Sequence, residues 1–142
     1  MADLTANRNL KTKVSGRTRE LIVKSGVSIY VGELVAFELA TGKAVKAGDT
    51  AVGTATFAGY AKTSGTGDAG GTVTIVVEAR GTVWLPHNGT AAQTDCGKLA
   101  CATDGGNVNL SSVTTNDMVV GKIVNVDTAA NTVEVDLEDR AA

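Results

Sequence analysis

The chain has a single proline, Pro86, and only 4% of its residues are aromatic. The first scarcity excludes a proline-rich stalk or linker. The second leaves a core of Val, Ala, Leu and Ile, which suits thin β layers better than a bulky helical interior. Histidine occurs once, at His87, and cysteine twice, at Cys96 and Cys101. That inventory falls short of a four-ligand zinc set unless carboxylates join it, so no metal or other cofactor is expected. No segment approaches the roughly 18–20 apolar residues of a membrane span. The start, Met1-Ala2-Asp3-Leu4-Thr5, lacks the apolar stretch of a secretory signal. Synthesis and first residence in a cytoplasm are the expectation, and with them two free thiols buried on a strand. A net charge of −2 offers no field for nucleic acid or an anionic membrane, and neither is expected as a direct partner.

What is present is glycine, 17 residues of it, among short β-branched runs in a chain of 142 residues. That length fits one domain, with enough chain to bury a core without staples. Residues 1–17 carry no sustained apolar period and read as an extended arm, ordered on a partner if at all. Residues 18–142 read as a single β-barrel or β-sandwich domain. Strands are predicted at Leu21-Ile22-Val23, Val27–Val31, Leu34–Phe37, Lys43–Lys46 and Thr54–Lys62. Further strands fall at Thr72–Val77, at Gly81–Pro86 (where the proline cannot donate to a ladder), at Gly97–Ala102, at Met118–Val126 and at Thr132–Leu137. Thr41-Gly42 marks a hairpin turn, and Thr63–Gly71 reads as an exposed, mobile loop. The fold class is therefore all-β. One weak repeat is visible. Gly59–Lys62, a spacer and Thr72–Glu78 resemble Gly121–Val124, a spacer and Thr132–Glu138. Either the fold is duplicated, or two strand–loop–strand units simply look alike.

The chemistry-bearing residues form no catalytic set. His87 lies between Pro86 and Asn88-Gly89, a turn context, and is expected to face solvent; a triad histidine would need a nucleophile and an orienting acid beside it. Gly65–Gly71 has the glycines of a phosphate loop, but it runs into a strand and lacks the Lys-Ser/Thr ending. Glu134, Asp136 and Glu138 alternate with Val133, Val135 and Leu137. That period puts the acids on a wet outer face, where like charges on an edge discourage sheet-to-sheet pairing. No enzyme activity is expected. Charge is uneven along the chain. Residues 1–24 hold six of the 13 basic side chains and two acids, whereas Asp127–Arg140 holds five acids and one base. Each end either meets an opposite charge on a neighbour or is simply solvated. The partner-binding candidates are Arg8, Lys11, Lys13 and Arg17 in the arm, with Trp84, the sole tryptophan, read equally as an interface anchor or a core plug.

The order of these features resembles the small head-decoration, or capsid cement, proteins of tailed phages. The features are Val31-Gly32-Glu33-Leu34-Val35-Ala36, then Gly53 through Ala61, then Gly81-Thr82-Val83-Trp84-Leu85-Pro86. Asp95-Cys96-Gly97-Lys98-Leu99 follows, and Val120–Ile123 with Thr132–Val135 form the closing hairpin. Together they span about residues 26 to 138. The resemblance implies a barrel-like β fold without catalytic residues. It also implies a homo-oligomer bound to the major capsid protein on the outer surface of the virion head. A non-catalytic β module for carbohydrate or receptor binding in a tail or fibre is the alternative.

Overall fold

The computed structural model describes residues 3–8, 18–48, 55–110 and 118–140. They form an all-β protein. The strands are β1 (Thr18–Ile22), β2 (Ser28–Ile29), β3 (Leu34–Glu38), β4 (Ala44–Lys46), β5 (Ala55–Ala61), β6 (Gly65–Thr66), β7 (Thr74–Glu78), β8 (Thr82–Pro86), β9 (Leu99–Ala102), β10 (Val108–Leu110), β11 (Val119–Asp127) and β12 (Thr132–Asp136). One 3-10 turn, Gln93–Asp95, precedes β9. Most lie where β-branched runs predict them. β8 ends at Pro86, and β3 and β4 pair across the Thr41-Gly42 turn. Two predicted segments are cut back by their local hydrogen bonding. Only Ser28–Ile29 of Val27–Val31 is strand, because it pairs with nothing but the two residues of β6. The expected loop over Thr63–Gly71 therefore contains a strand of its own. Thr72 and Val73 stay outside β7, since the Thr72 N–H and hydroxyl both bond to the Asp68 carboxylate and close a turn there.

The strands form two five-stranded antiparallel sheets and one two-stranded ribbon. The first sheet runs β1-β7-β5-β3-β4 and the second β8-β12-β11-β9-β10. With β2 and β6 set aside as the ribbon, both sheets read first-fifth-fourth-second-third in the chain order of their own half. The register repeats as well. Thr18 faces Glu78 as Thr82 faces Asp136. Val35 faces Gly59 as Ala100 faces Gly121, and in each half one extra residue, Ala58 or Val120, bulges just before that glycine. The turn leading into the second strand of each half has a left-handed glycine, Gly32 at φ 86° and Gly97 at φ 90°. Each donates its N–H across the sheet at 2.8 Å, to Ala61 O and Ile123 O respectively. The duplication is thus a repeat of the whole five-strand unit. Its fourth strand keeps the alignment the sequence suggests, Gly59 with Gly121, and its last sits two residues away, with Thr74 rather than Thr72 matching Thr132.

Neither large sheet closes into a barrel. Each curls until the residue after its first strand meets the hairpin at its far edge through one parallel bridge, Val23 with Ala44 and His87 with Val108. Gly59 and Gly121 make a tight crossing possible on the inside of each unit. A Cβ at either position would run into a backbone carbonyl, Glu78 O or Asp136 O.

The apolar residues form two clusters. The smaller joins Val23, Ile29, Val35, Ala44, Ala58, Ala61, Ile75 and Val77 beneath the β2–β6 ribbon. The larger draws Leu34, Ala36, Val45, Phe57 and Tyr60 from the first sheet onto Val83, Leu85, Val120, Ile123, Val133, Val135 and Leu137 of the second half. β3 is buried on both faces, which is why Leu34-Val35-Ala36-Phe37 is a continuous apolar run rather than an alternating one.

Candidate functional surfaces

The first surface is the N-terminal segment. Over residues 3–8 it lies across its own chain, a correction to the expectation of an arm that only a partner would order. Arg8 N donates to Val31 O at 2.7 Å, Val31 N to Asn7 Oδ1 at 2.9 Å and Gly105 N to Asp3 Oδ1 at 2.7 Å. The segment thereby ties the Val31–Glu33 turn of the first half to the Asp104–Gly106 turn of the second. Arg8 reaches both turns, with Nε donating to Gly32 O at 2.9 Å and Nη1 to Gly106 O at 2.7 Å. Its Nη2 is buried without a hydrogen-bond partner among the described residues, and burial pulls the guanidinium below its ordinary pKa, against the attraction of Glu33 and Asp104. Of the four basic candidates in the arm, Arg8 is thus engaged within the protomer. Lys11, Lys13 and Arg17 lie outside the described residues.

Glu33 is the anchor under this segment and is fully buried. Its carboxylate accepts from Tyr30 N at 3.1 Å and Leu4 N at 3.3 Å, and Lys46 Nζ stands 3.2 Å away. Burial nonetheless pushes the carboxyl above the usual glutamate range. Sequence reasoning passed over Glu33, since a single acid after a glycine turn carries no periodic signal.

The second surface is the outer face of the second sheet. Trp84 is half-buried on β8, opposite in direction to the fully buried Val83 and Leu85, and belongs to neither apolar cluster. Its cross-strand neighbour is Glu134. The expectation that Glu134 sits wet on an edge strand is overturned. β12 is an interior strand between β8 and β11, and Glu134 is 2% exposed. It is flanked by Trp84 on one side and Asn125 on the other, and accepts a hydrogen bond from Thr82 Oγ1 at 3.1 Å. Val133, Val135 and Leu137 do lie in the core, and Glu138 is exposed.

His87 is also corrected. It is 6% exposed rather than solvent-facing, because it occupies the position that buried Val23 holds in the first half. Neither ring nitrogen has a hydrogen-bond partner among the described residues. Asp95 Oδ2 lies 3.8 Å from Nε2, and the same carboxylate accepts from Ala92 N at 3.0 Å. Cys101 is buried on β9, whereas Cys96 is half-buried just after the 3-10 turn and on no strand; neither is in a disulfide. Among the described residues no three His, Cys, Asp or Glu side chains are grouped to hold a metal ion, and no helix is long and apolar enough to cross a membrane.

The third surface is a cleft of about 340 Å³ where the chain passes from one half to the other. It is lined by Arg19, Ala79, Arg80, Leu137, Glu138 and Arg140. Among the described residues three guanidinium groups meet one carboxylate there, an assembly the sequence conceals because its parts come from positions 19, 79–80 and 137–140.

No family model, curated protein or solved structure matches the chain.

Proposed function

We propose that the protein is a structural decoration, or cement, protein that binds the outer surface of an assembled phage head. The observation that carries this reading is the ordered set of features over residues 26–138, together with where its members fall. Gly81–Pro86 is β8 with its preceding turn glycine, Val31–Ala36 is the turn into β3, and the closing pair is the β11–β12 hairpin. Two like units, tied together by the N-terminal segment, make a preformed body that loses little conformational entropy on docking. Such a body stabilises a shell by mass action, since it binds the closed state only. A homo-oligomer matched to the symmetry of the shell multiplies modest contacts through multivalency. Mixing the purified protein with undecorated heads and sedimenting them tests the reading. Saturable co-sedimentation is expected, with a higher temperature of genome release in the decorated particles. Heads left bare while the protein is retained by a glycan array would favour the tail or fibre module.

A further inference from the structure

The cleft between the halves has an imbalance of charge that the surrounding residues do not settle. Among the described residues Glu138 is the only acid lining it, and both of its oxygens are engaged, Oε1 by Arg80 Nε at 2.9 Å and Oε2 by Gly81 N at 3.2 Å. Arg140 is held in place, its guanidinium 5.3 Å over the Phe57 ring and its Nε donating to Leu137 O at 3.2 Å. Arg19 is exposed on β1. Burial and the neighbouring Arg19 both pull the Arg140 guanidinium below its ordinary pKa. Two like charges thus share a cleft whose one carboxylate is committed elsewhere.

The repeat shows that this is a departure from the common plan. Arg19 faces Val77 in the register where Val83 faces Val135 in the second half. Val83 is fully buried in the larger core cluster. The first half has replaced a core valine by an exposed arginine beside the cleft. Moreover, β1 is an edge strand, pairing only with β7 among the described residues. A strand laid along that open edge puts one side chain directly across from Arg19 and on the same face, roughly 4.5–5.5 Å away between Cβ atoms.

We propose that the open edge of β1 and this cleft together receive an extended acidic segment of a partner protein, its backbone pairing with β1 and its carboxylate seated between Arg19 and Arg140. A carboxylate suits the planar fork of a guanidinium, and charge-assisted bonds of this kind are about twice as strong as neutral ones. The backbone groups of β1 favour a peptide over a free anion, which has nothing to pair with them. The site needs no phage head for its test, so its failure and that of the head-binding proposal are separable.

The probes are a capped pentapeptide alternating valine and glutamate, the same peptide with glutamine in place of glutamate, and inorganic phosphate. Each is titrated into the isotope-labelled full chain and followed by amide and guanidinium NMR shifts. The glutamate peptide is expected to shift Thr18–Ile22 and the side chains of Arg19 and Arg140 saturably. It should bind about tenfold more tightly than its glutamine counterpart, the equivalent of about 1.4 kcal/mol. Arg19→Val should abolish that difference while keeping the fold, since the other half carries valine at the matching position. Arg19→Gln serves the same purpose should the valine variant associate. Equal affinity for the two peptides, or no binding of either, overturns the proposal. So does phosphate that displaces the peptide and shifts the same arginines, because the cleft would then be a free oxyanion site.

Discussion

At position 134 a carboxylate that a two-residue period assigns to solvent is 2% exposed. The period gave the correct inward set, Val133 and Val135, but it cannot say whether the outer face is roofed. That depends on which strands flank β12 and on what they carry, here Trp84 and Asn125. Glu134→Lys is therefore expected to cost about 1–3 kcal/mol, since it removes the acceptor of Thr82 and puts an ammonium in its place. Val135→Asp should cost more, several kcal/mol, through an unpaired buried charge. Urea midpoints measure both, and a Glu134→Lys midpoint equal to the parent would return the residue to the surface. Glu33 gives a residue-scale pH dependence. Its folded pKa is raised by burial, so its contribution to stability is fully present below the ordinary glutamate pKa and is lost as pH rises through the folded value. Relative to Glu33→Gln, the parent protein should be most stable in acid and lose ground as pH rises through that window. Denaturant titrations at a series of pH values read this directly. A difference that grows with pH would mean that Lys46 and the backbone donors outweigh burial.

Among elements, the hairpins were legible and the sheets were not. Thr41-Gly42 and the stop at Pro86 announce themselves locally, because turn chemistry and the missing proline N–H act over a few residues. Strand order is set by pairings such as β1 with β7, which join residues more than 50 positions apart in the chain, and no local pattern encodes them. The repeat was visible and correctly aligned at Gly59 and Gly121, but its last strand was misregistered by two residues, because consecutive β-branched residues look alike until Asp68 captures Thr72 and fixes where β7 begins. The structural register makes Gly59 and Gly121 equivalent. Substituting valine at either should cost about 2 kcal/mol or more, since the added Cβ meets the carbonyl of the partner strand. Thermal unfolding of both variants checks the equivalence, which a neutral change at one position would contradict. The N-terminal segment is the element that the sequence least prepared. It has no apolar face, and what holds it is hydrogen bonding to two turns, in a network centred on Arg8 and Glu33. Deleting residues 1–8 should accelerate amide exchange at Val31 and Gly105, whose N–H groups bond to Asn7 and Asp3, and leave the β11–β12 hairpin protected. Unchanged exchange at those two amides would show that the segment is not bound in solution.

Across the whole molecule, the two halves share a plan and differ in what they do with it. The first buries the inner face of its sheet beneath the β2–β6 ribbon, and the second shares its interior with residues of the first. Where matching positions diverge, Val23 against His87 and Arg19 against Val83, a polar group has entered one copy where a core valine stands in the other. The arginine departure lies beside the cleft, and Trp84 stands on β8, the corresponding edge strand of the other sheet. The two edges thereby differ in chemistry, one carrying Arg19 beside Glu20 and the other Trp84. The most direct measurement is a cryo-electron microscopy reconstruction of undecorated phage heads incubated with the purified protein at saturating concentration. The expected result is ordered density at symmetry-related sites on the outer surface, into which the two five-stranded units fit with β1 or β8 against the shell. Bare shells under the same conditions, or density that follows no symmetry of the lattice, would contradict it.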